Sequence, residues 1–178
     1  MGRPEEPKPA KLIMSLLSRS DDFLHQALEL LQRSYGEVDF KSDPLPFHWT
    51  RYYEQEMGPG LFRRFVSFAP LIRREALVEI KLHTNEVEAS LAEGDKRRVN
   101  IDPGYITAEH LILASTKGAP HRPYLGRGIY ADLTLLYREG AFRPLQWTYP
   151  DYASEEVRRL LEGVRRRYLE QLRELRDD

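Results

Sequence analysis

Side chains able to bind or react gather in four short stretches of this chain. In Thr50-Arg51-Tyr52-Tyr53-Glu54-Gln55-Glu56-Met57-Gly58, two tyrosines and two carboxylates precede a Gly-Pro-Gly turn. Tyrosines stack and donate hydrogen bonds, and carboxylates bind cations or work as acids and bases. Such a loop can close over a ligand. Further on, Lys81, Asn85 and Glu88 stand at i, i+4 and i+7 and share one stripe beside an apolar helix face. In Arg98-Val99-Asn100-Ile101-Asp102-Pro103-Gly104, polar and apolar residues alternate and then meet Pro-Gly. That pattern reads as a half-buried strand stopped by a turn, with Arg98, Asn100 and Asp102 at its end. Finally, Lys117 to Gly128 is a Gly/Pro-rich connection carrying Lys117, His121, Arg122 and Arg127. It can present cations and backbone N–H groups to a carboxylate or phosphate.

Together these residues describe a polar cleft for a small anionic ligand. Lys117, Arg122 and Arg127 hold the anion, with Lys81 and Arg98 in the same binding set. Asn85, Asn100 and Asp102 orient the ligand, Tyr52 and Tyr53 cover it, and His121 or Glu56 moves a proton if there is catalysis. A metal site is not expected. Glu79, His83 and Glu86 have a ligating spacing, but they lie opposite the apolar stripe and would have no supporting shell. In Trp147-Thr148-Tyr149-Pro150-Asp151-Tyr152 the aromatics flanking Pro-Asp could wall a pocket, but the segment reads more readily as a packed connection before the last helix.

Several chemistries are excluded by what is missing. No Gly-x-Ser-x-Gly, His-Glu-x-x-His, Gly-x-Gly-x-x-Gly or Gly-x-x-x-x-Gly-Lys-Ser/Thr occurs. With no cysteine in 178 residues, disulfides, thiolate metal sites and thiol nucleophiles are absent together. The residues name no cofactor. Lys plus Arg number 27 against 28 Asp plus Glu, which argues against nucleic acid as partner. The longest apolar run, Leu12 to Leu17, is too short to span a bilayer, and residues 1–7 lack an apolar signal core. No membrane partner is expected, the cytoplasm is the expected address, and a homo-oligomer is compatible with everything above.

The elements that must position these groups follow from periodicity. Residues 1–10, with three prolines, read as a flexible tail, and 11–178 as a single α+β domain. Lys11 to Leu17 reads as a central buried strand. Leu24, Ala27, Leu28, Leu31 and Tyr35 define a helix ended by Gly36. Val38 and Phe40 mark a second strand, Leu61 to Phe68 a third, Leu77 to Leu91 a helix and Arg97 to Asp102 a fourth strand. That order, βαββαβ, is the ferredoxin-like unit. His110 to Ser115 is either strand or short helix. Ile129 to Leu135 and Phe142 to Trp147 form a hairpin about Arg138-Glu139-Gly140-Ala141. Val157 to Leu175 forms a long amphipathic helix capped by Ser154.

Several motifs taken as a set carry a resemblance. They include Tyr52-Tyr53-Glu54, Glu56-Met57-Gly58-Pro59-Gly60, Lys81-Leu82-His83-Thr84-Asn85-Glu86 and Val99-Asn100-Ile101-Asp102-Pro103-Gly104-Tyr105. Tyr124-Leu125-Gly126, Gly128-Ile129-Tyr130-Ala131 and Trp147-Thr148-Tyr149-Pro150-Asp151-Tyr152 complete the set. The chain resembles an uncharacterised prokaryotic family, Domain of Unknown Function 4416, from about Lys8 into the last helix. The resemblance implies no mechanism. The expectation is therefore a cytoplasmic protein binding a small anionic or phosphate-bearing ligand in a polar cleft, extending to hydrolase or transferase activity. The alternative is a protein–protein interaction module that uses its arginine-rich terminal helix and has no small-molecule site.

Overall fold

The computed structural model describes residues 2–177. In chain order the strands are β1 (Ala10–Ser18), β2 (Val38–Lys41), β3 (Leu45–Pro46), β4 (Phe62–Ile72), β5 (Asn100–Ile106), β6 (His110–Ser115), β7 (Tyr124–Gly126), β8 (Ile129–Arg138) and β9 (Ala141–Pro144). The helices are α1 (Asp21–Tyr35), the single turn α2 (Glu54–Met57), α3 (Leu77–Ser90), the single turn α4 (Pro150–Ala153) and α5 (Glu155–Asp177). The strands form one antiparallel sheet in the order β2-β4-β1-β5-β6-β8-β7, with β3 on β4 and β9 on β8. The molecule is a mixed α+β fold, and its nine-stranded sheet is larger than a four-stranded core with an added hairpin.

Helices cover the sheet on both sides. Leu12, Met14 and Leu16 of β1 pack with Leu24, Ala27 and Leu31 of α1 and with Ile80 and Val87 of α3. Ile13, on the opposite face, packs with Phe65, Ile106 and Leu135 under Val157, Leu161 and Val164 of α5. Every residue of β1 is buried, which is why its sequence is apolar without alternation. Its polar residues are Lys11, Ser15 and Ser18, and Lys11 is the one charge among them. Its ammonium donates to Asp39 and to Gln171, at 2.5 and 2.8 Å, tying β1 to β2 and to α5. Burial lowers the Lys11 pKa, with Asp39 acting against the shift.

Residues 110–115 are a strand, paired with β5 and β8. Ser154 caps α5 as expected, accepting the Val157 N–H at 3.3 Å. The region 1–10 is fixed at its inner end, where the Lys8 carbonyl accepts from Arg74 and the Pro9 carbonyl from Tyr168.

One expectation is overturned. Pro103-Gly104 is not a turn, because β5 runs through both residues to Ile106. Pro103 faces Met14 of β1, while β6 pairs with β5 only from Gly104 onward. The ladder is open beside Pro103, where a residue without an N–H is tolerated. Gly104 is needed for close approach. A Cβ there would lie 2.4 Å from the Ile112 carbonyl oxygen and 2.7 Å from Leu113 Cδ2.

Candidate functional site

The parting of β5 from β6 creates the site. Between Asn100 and Pro103 the free edge of β5 has no strand beside it, and α3 supplies substitutes. The Ile101 N–H donates to Glu88 at 2.5 Å, and the Ile101 carbonyl accepts from Lys81 at 3.3 Å. Both side chains are buried, so the polar stripe Lys81–Glu88 seals a backbone.

Paired residues share a sheet face, and every second residue along a strand returns to it. By this register Arg63 (β4), Ser15 (β1), Asp102 (β5), Leu113 and Ser115 (β6) and Asp132 (β8) all point to the α5 side. Beyond the start of α5 that face is bare, and a cavity of about 440 Å³ lies over it. The loop bearing Phe47, Trp49, Tyr52 and Tyr53 walls one side, and Tyr149, Asp151 and Tyr152 the other.

Arg63 is the central charge of the cavity. It is 6% exposed and ion-paired through Nη1 to Asp151, and its guanidinium lies 4.6 Å from the centre of the Phe47 ring. Its Nε has no hydrogen-bond partner, and Nη2 is 4.0 Å from the Asp102 carboxylate, beyond bonding reach. The Tyr152 hydroxyl and Ser15 Oγ are likewise buried without partners. Asp102 accepts from Asn100 at 2.8 Å and lies 3.9 Å from Lys81. Opposite, Arg122 donates to Asp132 (2.7 Å), Ser115 (3.2 Å), the Lys117 carbonyl (2.9 Å) and the Tyr149 hydroxyl (2.7 Å), so its fork is filled. At the mouth, Lys117 donates to the Tyr52 hydroxyl at 3.1 Å and stands 4.8 Å from the centre of that ring. Burial, reinforced by Asp102, holds the Tyr53 phenol well above its usual pKa. Burial does the same to Tyr152. Both are neutral donors at physiological pH.

A second network fixes the loop. Glu56 receives two bonds from the Arg97 guanidinium, each 2.8 Å, and one from its backbone N–H at 3.0 Å. Arg97 also donates to Asn100 at 2.7 Å, and Asn100 donates to Asp102. The hydrogen bonds from Arg97 draw the Glu56 pKa below the usual carboxylate value.

The cavity therefore brings together Tyr52, Tyr53, Asp102, Lys117 and Arg122 from the expected set. Lys81 and Asn100 stand behind Asp102. Asn85 is half-buried one turn along α3 and off the cavity wall. His121 is also off the wall, stacked 4.9 Å from Trp147 with Nε2 buried 3.6 Å from Asp132. Glu56 is committed to Arg97, Arg98 to Glu93, and Arg127, exposed, to Glu79. The last three lie outside the cavity. Among the described residues no group of three or more His, Asp and Glu is placed to hold a metal ion. His83 instead bonds the Tyr35 hydroxyl at 2.6 Å.

Sequence reasoning missed Arg63, Asp132 and Arg97, and at 147–152 it favoured a packed connection over the pocket wall that Tyr149 to Tyr152 form. The signal for Arg63 was available: Arg63 and Phe65 share a face, so an apolar Phe65 turns Arg63 inward.

Among the described residues no helix is long and apolar enough to cross a membrane. No curated protein and no solved structure matches the chain. A model of the family described as Domain of unknown function (DUF4416) matches residues 8–168, and the chain belongs to that family.

Proposed function

We propose that this protein binds a small molecule bearing an anionic group in the cavity at the parted end of its sheet. The observation that carries the reading is Arg63. A buried guanidinium whose Nε has no partner, and whose Nη2 stops 4.0 Å short of the Asp102 carboxylate, is costly, and an anion set on that edge removes the cost. Lys117 adds a second cation at the mouth, and Arg122, locked by four partners, frames the wall. Asp102 orients the ligand, and Tyr52 and Tyr53 cover it. Trp49, Tyr52 and Tyr149 are 45%, 61% and 49% exposed around the opening, which suits a ligand with a flat or apolar body. Hydrolase or transferase chemistry would draw on Asp102 and on His121 behind Asp132. The topology supports naming the β2-β4-β1-β5 half, with α1 and α3, a ferredoxin-like unit.

Arg158 and Arg165 weaken the competing picture of a partner-docking helix, because both donate to carbonyls of their own chain. Native mass spectrometry of freshly purified protein tests the proposal. A small adduct released on mild denaturation, and absent from Arg63→Met, is the expected result. Retention of the same adduct by Arg63→Met would overturn it.

A further inference from the structure

We infer that the ligand is a zwitterion, an α-amino acid whose carboxylate meets Arg63 and whose ammonium meets Asp102. This rests on reading the cavity as a ligand site and names the class of molecule it takes. Arg63 Nη2 and Asp102 Oδ2 lie side by side at 4.0 Å without bonding each other. Nε and Nη2 form one edge of the guanidinium, and two parallel N–H donors match a carboxylate. Asp102 is the accessible acid of the site, its side chain 29% exposed against 5% for Asp132 and 7% for Asp151. In an α-amino acid the carboxylate and ammonium are held close together, so one molecule spans both partners. A phosphate fits worse. Its second charge would be set on Arg63 between the carboxylates of Asp102 and Asp151, with Lys117 out at the mouth. A zwitterion instead sets its ammonium on the exposed carboxylate of Asp102, which Asn100 and Lys81 contact from behind. Beyond the two charges the walls are Phe47, Trp49 and Tyr149, which select an aromatic or long apolar side chain.

The test is calorimetric titration of the full chain with each standard amino acid singly, and with phenylalaninamide, 3-phenylpropanoate and phenyl phosphate. Phenylalaninamide lacks the carboxylate and 3-phenylpropanoate lacks the ammonium. The expected result is that an aromatic or long apolar amino acid binds at least about tenfold more tightly than any of the three analogues. In Asp102→Asn, checked for fold by circular dichroism, that preference collapses while affinity for 3-phenylpropanoate is kept. If 3-phenylpropanoate or phenyl phosphate binds the native protein as tightly as the best amino acid, the zwitterion is wrong and the anion site stands. If no probe binds, both readings fall.

Discussion

Arg63 and Asp151 form a pair in which neither partner can be removed alone without leaving a buried charge. Arg63→Met strands the Asp151 carboxylate, which is 5% exposed. The expected loss is about 3–5 kcal/mol in urea denaturation, because the remaining charge has no solvent to turn to. Replacing both, Arg63→Met with Asp151→Leu, should restore most of that loss. A double variant as unstable as the single one would show that the pair contributes through something other than mutual neutralisation. The Glu56–Arg97 pair is half-exposed and behaves differently with pH. Arg97 holds the folded-state pKa of Glu56 below its unfolded value, so the stabilisation is present above the unfolded value of about 4.3 and is lost as pH falls through the folded one. Glu56→Gln should therefore be destabilising at pH 7, and the gap to the native protein should close as pH falls below about 4. Melting curves across that range check the sign. A gap that stays constant would mean that the charge of Glu56 contributes nothing.

At the scale of elements, legibility followed burial pattern. β1, α1 and α5 were plain because one-sided or continuous burial writes itself into residue spacing. Pro103-Gly104 misled because the pair is common in turns, whereas here each residue answers a sheet neighbour: Pro103 an open ladder, Gly104 a close one. Asp132 was hidden for a related reason. β8 is covered on both faces, so its polar positions are not solvent positions. The cavity residues come from four strands, from the connections at 47–53 and 117–122, and from Tyr149 with α4, and no local pattern reports which strands lie side by side. Gly104 offers a direct check on the element it serves. Gly104→Ala places a methyl group against the Ile112 carbonyl. It should cost about 1–3 kcal/mol and loosen the β5–β6 ladder, raising amide exchange at Tyr105 and Ile112. Unchanged exchange there would mean that the strands do not set the width of the cavity.

For the molecule as a whole, β1 belongs to two cores at once. Leu12, Met14 and Leu16 serve the α1/α3 side and Ile13 the α5 side. Neither core can open without exposing the strand that completes the other. Ile13→Ala and Leu16→Ala should each lower stability by about 2–5 kcal/mol, and both should still unfold in a single transition. Tryptophan fluorescence, from Trp49 and Trp147 near the cavity, should track far-UV circular dichroism in each variant. Two separated transitions would show that the layers are independent.

The open edge of β5 bears also on rates. Because Glu88 and Lys81 already satisfy Ile101, no main-chain hydrogen bond has to break for a ligand to reach Asp102. Nothing in the sheet has to move first. Arrival is then limited by diffusion and by the shedding of water from the aromatic rim, and departure by the strength of the contacts made in the cavity. On the proposed reading, a ligand retained through purification owes its long residence to the contacts at Arg63 and Asp102 and not to a gate that must open.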